Sequence, residues 1–134
     1  MPEDSDIRQI IVMRKDLGMR KGKMIAQGAH ASMKVLIDQF IVIDGHEEYT
    51  WILSSDDSTL AQWIHGLFTK ICVGVASEEE LLGVYKKAQA AGLLCALIQD
   101  AGLTEFKEPT YTCCAIGPAT KADLDPITGH LKLL

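Results

Sequence analysis

The feature that most limits what this chain can fold into is a junction near its N-terminus. An apolar run, Ile10-Ile11-Val12-Met13, passes through a loop punctuated by Gly18 and Gly22 into a stretch of small residues, Ala26, Gly28, Ala29, Ala31 and Ser32. The run belongs to a predicted strand, Ile7 to Met13, with the near-continuous apolar character of a central strand covered on both faces. The small residues belong to a predicted helix, Lys23 to about Gln39, able to lie close against a sheet. A strand–loop–helix junction gathers backbone N–H groups at a helix N-terminus and so favours an anion there. The loop adds five basic residues, Arg14, Lys15, Arg20, Lys21 and Lys23. On the helix, Lys23, Gln27, His30 and Lys34 recur at i, i+4, i+7 and i+11 and therefore share one face. A nucleotide phosphate loop needs four residues between its glycines and Ser or Thr after its lysine. Here three residues separate Gly18 from Gly22, and Met24 follows Lys23, which argues against one.

The rest of the chain reads as alternating elements. Phe40 to Ile43 is enriched in β-branched residues and favours a short strand before the Asp44-Gly45 turn. Glu47 to Ser55 has no clear period, although Tyr49, Trp51, Ile52 and Leu53 need burial against the core or a second subunit. Thr59-Leu60-Ala61-Gln62 suits a capping box for a short helix to about Leu67. Lys70 to Val75 is a strand. Ser77-Glu78-Glu79-Glu80 is a stronger capping box, with acids where the helix dipole favours them, and its helix runs to about Ala91 before Gly92. Leu94 to Ile98 and Thr110 to Ile116 are strands, the second ended by Gly117-Pro118. A last helix covers about Lys121 to Ile127. Helices between successive strands permit parallel crossovers, and the short link before the last strand permits an antiparallel pair. The expected architecture is an α/β fold: a mixed four-stranded sheet with helices on both faces, a three-layer α/β/α sandwich.

At 134 residues the chain is expected to form one domain over 1–134, large enough to bury a core without staples. The acidic residues 1–6 are neither a signal nor a transit peptide and are expected to be frayed. No apolar run reaches the length of a membrane span. The four cysteines, Cys72, Cys95, Cys113 and Cys114, form no C-x-x-C pair and fall in strand-like runs, as reduced core thiols do. Cys113 and Cys114 should face opposite sides of their strand, which disfavours a shared metal. Net charge is −5, unlike a generic nucleic-acid binder. Between Arg8 and Lys34, however, six further basic residues stand against one acid, Asp16. A local positive patch on an acidic body suits a phosphate-bearing partner held at one place.

A second cluster lies at Gln99-Asp100-Ala101-Gly102-Leu103-Thr104. It ends a predicted buried strand, where open α/β sheets place their chemistry. Asp100 there can act as a general base, orient a lysine or a water, or simply form an Asx-turn with Gly102. Thr104 and Thr112 offer hydroxyls on either side of the hairpin, and Thr110 and Thr112 share a face. No nucleophile-elbow or Cys-His pattern is present. Catalysis, if any, is expected to use water without metal or cofactor.

Taken together, the blocks resemble the type 2 (archaeal and eukaryotic-type) peptidyl-tRNA hydrolases. The resemblance runs through Ile11 to Leu17, Lys21-Gly22-Lys23 with Gln27 and His30, and Ser77 to Leu81. It continues in Cys95 to Gly102 with Thr104, Thr112 to Pro118 and Ile127 to Leu134. It implies an enzyme that cleaves the ester between a peptidyl group and tRNA. It also implies a cytoplasmic setting, no metal or cofactor, and commonly a homodimer. By position it places catalytic residues at Lys23, Asp100, Thr104 and Thr112, with His30 nearby. Lys15, Arg20, Lys21 and Gln27 are then expected to serve tRNA binding. The chain departs from the family pattern in three places: Leu103 stands where a basic residue is usual, Arg20 where a glycine is, and Gly74 near a usual lysine. Two alternatives follow from those losses, a non-catalytic RNA- or protein-binding module on the same fold, or a hydrolase of a smaller acylated substrate. Salt dependence of turnover separates them, because phosphate contacts weaken as salt rises.

Overall fold

The structure, a computed structural model, describes residues 6–42, 49–51, 58–103 and 105–134. In chain order the elements are β1 (Ile7–Arg14), α1 (Lys21–Ile37), β2 (Phe40–Val42), β3 (Tyr49–Trp51) and α2 (Thr59–His65). There follow β4 (Lys70–Val75), α3 (Glu78–Ala90), β5 (Cys95–Asp100), β6 (Thr110–Thr120) and α4 (Lys121–Thr128). Four strands form one mixed sheet in the order β4-β1-β6-β5. β1 runs parallel to β4 and antiparallel to β6, and β5 pairs antiparallel with β6. The C-terminal ends of β4, β1 and β5 and the start of β6 therefore share one edge, and the functional residues gather there. β2 and β3 form a separate antiparallel pair; β3 falls in the segment that had shown no sequence period.

Alternation along β1 divides the core. Ile10 and Val12 pack with Val73, Val75, Cys114 and Ile116 against Leu81, Val84 and Ala88 of α3 and Leu124 and Ile127 of α4. Ile11 and Met13 face the other way, with Cys113 and Ala115, against Ala31 and Val35 of α1. The helices thus cover both faces, as the strand patterns require. Leu81 is fully buried, so truncation to Ala would cost about 2–5 kcal/mol. α1 approaches the sheet closely through Gly28, where an added Cβ would stand 3.6 Å from Ile11 Cγ2. Gly28, Ala31 and Ser32 are buried, whereas Ala26 and Ala29 are exposed. None of the described helices is long and apolar enough to cross a membrane.

Three local expectations need correction. The cap of α2 is Ser58, not Thr59: its Oγ accepts from Ala61 N–H at 3.1 Å. The α3 box is half-formed. Ser77 Oγ accepts from Glu80 N–H, but Glu80 reaches back to the N–H of Ala76 rather than to that of Ser77. Gly117-Pro118 does not end β6, which continues to Thr120. A register shift between Arg8 and Ile10 lets the pair through, since a bulge accommodates a residue with no N–H. Gly117 has φ +102°, and an added Cβ would lie 2.6 Å from the Arg8 carbonyl oxygen.

The thiols also differ from expectation. Cys113 and Cys114 are buried on opposite faces and Cys95 is half-buried, but Cys72 is exposed. α1 lies mainly over β6 and β5, so the side of β4 facing α1 is left open. Cys72, Ile11 and Met13 floor an apolar groove of about 470 Å³ there, walled by Ile25, Met33 and Phe68.

Candidate active site

The flank of α1 bearing Lys23 and Gln27 meets the sheet edge where β5 ends and β6 begins. Lys23 Nζ lies 2.6 Å from Asp100 Oδ1, and the two side chains are only 12% and 9% exposed. Gln27 Nε2 also donates to Asp100 Oδ1, at 3.5 Å. The second carboxylate oxygen, Oδ2, accepts from Gly102 N–H at 2.9 Å. Asp100 therefore forms the Asx-turn and pairs with a lysine at once; the two roles do not compete. Gly102 permits the turn with φ +83°. The Lys23 hydrogen bond, then the Gly102 N–H, hold the Asp100 carboxyl below the usual carboxylate range. It is anionic throughout neutral pH. Lys23 Nζ lies 5.5 Å from the centre of the Phe106 ring, within reach of a cation–π attraction. Phe106 was invisible to pattern reasoning, being one aromatic in a polar loop.

Thr112 enters through a bulge. The β5–β6 register pairs Ile98 with Cys113 but Gln99 with Tyr111, so Thr112 is the extra residue. Bulges re-aim side chains beside active sites. Here Thr112 and Cys113 both reach Gln27. The Thr112 hydroxyl donates to Gln27 Oε1 at 2.5 Å, and the Cys113 thiol donates to the Gln27 carbonyl at 3.3 Å. Burial pushes the Cys113 thiol up to about 11, so it stays protonated as a donor. The result is a chain from Thr112 through Gln27 to Asp100 and Lys23.

The other expected site residues fall around this core. His30 is exposed on the same flank of α1 and touches Asp100 only through its charge. Thr104 lies outside the described residues. Arg20 is the N-cap of α1 and makes no side-chain cap; its Nε lies 3.9 Å from Glu105 Oε1. Lys21 and Lys15 are exposed, with no hydrogen-bond or ion-pair partner among the described residues. Arg14, counted in the basic loop, is instead structural: Nε and Nη2 bind Asp16 at 3.0 and 2.6 Å, and Nη1 donates to the Tyr111 carbonyl at 3.0 Å. A cleft of about 410 Å³ is lined by Leu17, Gly18, Arg20, Glu105 and Phe106, the aromatic ring that Lys23 approaches.

Comparison with known proteins gives concordant results. A protein of unknown function from Agrobacterium tumefaciens shares the fold, with TM-score 0.60 at 12% identity over 96% of this chain and 98% of that one. A peptidyl-tRNA hydrolase of Methanocaldococcus jannaschii is 39% identical over 96% of this chain and 100% of its own length. One of Halobacterium salinarum is 42% identical, covering 95% and 99%. One of Saccharolobus islandicus is 37% identical, covering 96% and 99%. The family model for peptidyl-tRNA hydrolase PTH2 matches residues 7–134, the whole sheet and every helix included. The chain belongs to the peptidyl-tRNA hydrolase PTH2 family.

Proposed function

We propose that the chain hydrolyses the ester bond of peptidyl-tRNA, releasing peptide and free tRNA, with Lys23 and Asp100 at the centre of the reaction. The observation that carries this assignment is the enclosed Lys23–Asp100 pair at the sheet edge, braced by Gln27 and Thr112. Attack of water on the ester carbonyl builds negative charge on the carbonyl oxygen. A positioned ammonium stabilises that charge without reorganisation, and Lys23 is the cation available. Asp100, held ionised and of low basicity, suits fixing Lys23 better than taking a proton from water. Thr112, wholly buried with its hydroxyl proton on Gln27, braces the pair. Thr104 is the hydroxyl assigned to orient water and ester, and His30 stands exposed on the same flank of α1. A passive binding module has no need of a lysine and an aspartate held together in so enclosed a place.

On the tRNA side, Arg20 and Lys21 meet phosphates near the uncapped N-terminus of α1, and Lys15 meets them from the end of β1, a term independent of sequence. Gln27 is 3% exposed, so it serves the tRNA end through its hydrogen bonds to Thr112 and Asp100. The apolar groove beside α1 supports a subunit contact in a homodimer, because Ile25 and Met33 are 73% and 54% exposed along it. The substrate places the working protein in the cytoplasm. Release of labelled peptide from peptidyl-tRNA, abolished in Lys23→Ala and Asp100→Ala variants with unchanged circular dichroism, tests the assignment. A folded wild type that releases nothing contradicts it.

A further inference from the structure

Gly74 looks like a lost cation in the sequence, and the structure changes that picture. β4 has ordinary extended backbone at this residue, so glycine is required there for space rather than for conformation. The space is taken by Lys15. Its Cγ, Cδ and Cε atoms lie 3.0, 2.6 and 2.9 Å from where a Cβ on Gly74 would stand. Lys15 follows β1, and its backbone N–H donates to the Val75 carbonyl at 2.8 Å. The side chain then lies across the neighbouring strand with its methylene stem on the glycine, as lysine stems cover apolar surface while their heads stay in water. Gly74 shares the face of Cys72, which is the α1 side of the sheet.

We propose that Lys15, seated on Gly74, is the phosphate contact at the β4 end of the active edge. This rests on the peptidyl-tRNA reading above. Arg14 beside it is committed to Asp16 and Tyr111, whereas the Lys15 ammonium has no partner among the described residues. β1 and β6 stand between β4 and β5, where Asp100 lies. Three strand spacings of about 4.8 Å make roughly 14 Å, so Lys15 meets the tRNA backbone away from the ester. Its contribution is to binding and not to the chemical step. The acids of the first turn of α3, Glu78 to Glu80, follow β4, but α3 packs on the opposite face. Gly74 is thus a positioning residue, acting only through Lys15.

The test is steady-state hydrolysis of labelled peptidyl-tRNA over a salt series by wild type, Lys15→Ala, Gly74→Ala, and the double variant Lys15→Ala with Gly74→Lys. Lys15→Ala is expected to raise KM several-fold at low salt with little change in kcat. It should also flatten the log–log salt slope of kcat/KM by about 0.7–0.9, one phosphate contact. Gly74→Ala, whose Cβ has three atoms of the flexible stem as its nearest neighbours, should produce the same KM effect with Lys15 still present. The double variant should recover both KM and slope. On a peptidyl ester of a single nucleoside, which lacks the distant phosphates, the Lys15→Ala effect should fall below twofold. Unchanged KM and slope in Lys15→Ala beside an active wild type would overturn the proposal, as would a folded double variant that recovers nothing. A wild type that cleaves neither substrate overturns the underlying reading, and the proposal with it.

Discussion

The hydroxyl of Thr112 donates to Gln27 Oε1 at 2.5 Å, joining a bulged residue of β6 to the middle of α1. The bond is wholly buried, and Gln27 spends its amide nitrogen on Asp100. One side chain thus couples the helix, the bulge and the ion pair. Thr112→Val keeps the shape and leaves the Gln27 oxygen unsatisfied, at a cost of about 1–3 kcal/mol. The variant should melt several degrees lower and hydrolyse peptidyl-tRNA more slowly, through kcat rather than KM. Thermal melts and steady-state rates check this together; loss of stability at an unchanged kcat would confine Thr112 to packing.

Acid should act through Asp100. Its carboxyl is held below the usual value by Lys23 and Gly102. The folded state therefore binds this proton less readily than the unfolded chain does. The resulting stabilisation is complete above the unfolded value, about pH 4. It is lost as pH falls through the lower folded value. Asp100→Asn should flatten that part of the acid-unfolding curve. Asp16, lowered by its hydrogen bond to Arg14, contributes in the same direction and remains in the variant. Guanidinium titrations at several pH values below 5 measure the difference; identical pH slopes in both proteins would refute it.

Arg14 and Lys21 are both basic residues of the same loop, yet they should fail differently. Removing Arg14 strands Asp16 and the Tyr111 carbonyl, a cost of about 1–3 kcal/mol, and leaves the salt slope of kcat/KM as it is. Removing the exposed Lys21 should leave stability within about 0.5 kcal/mol and reduce the salt slope by about 0.7–0.9. Denaturation midpoints and a salt series on the two alanine variants separate the cases, and a reversed pattern would exchange their roles.

The thiols report on the groove. Burial pushes up Cys113, Cys114 and Cys95, whereas Cys72 is exposed on the groove floor. One thiol per dilute native chain should react rapidly with an aromatic disulfide reagent, and the other three only on unfolding. If the groove is the subunit contact, that fast reaction slows as protein concentration rises. Met33→Asp should keep it fast at every concentration and sediment as a monomer. A concentration-independent rate with a persistent dimer would move the contact elsewhere.

Much of this was legible in the sequence because it follows local rules. Lys23 and Gln27 share a flank by helical spacing alone, and the apolar run of β1 announced a central strand. Nothing local relates Lys23 to Asp100, 77 residues away; that pairing came from resemblance, and the topology explains it by bringing β5 parallel to β1. The bulge at Thr112 was not legible. Plain alternation would set Thr112 against Cys113, and only the register with β5 turns both toward Gln27. Gly117-Pro118 read as a stop because a breaker pair and a bulge have the same composition. Gly74 read as a missing cation because sequence cannot show a neighbouring strand's lysine lying over a glycine.

The most direct measurement is single-turnover hydrolysis of a labelled peptidyl-tRNA by the wild type, Lys23→Met and Asp100→Asn, each shown to be folded. Loss of one oxyanion-stabilising group costs about 10²–10³ in rate. The account predicts rapid release by the wild type and losses of that order in both variants, with the double variant little worse than either. Variants that are folded and as fast as the wild type would contradict it.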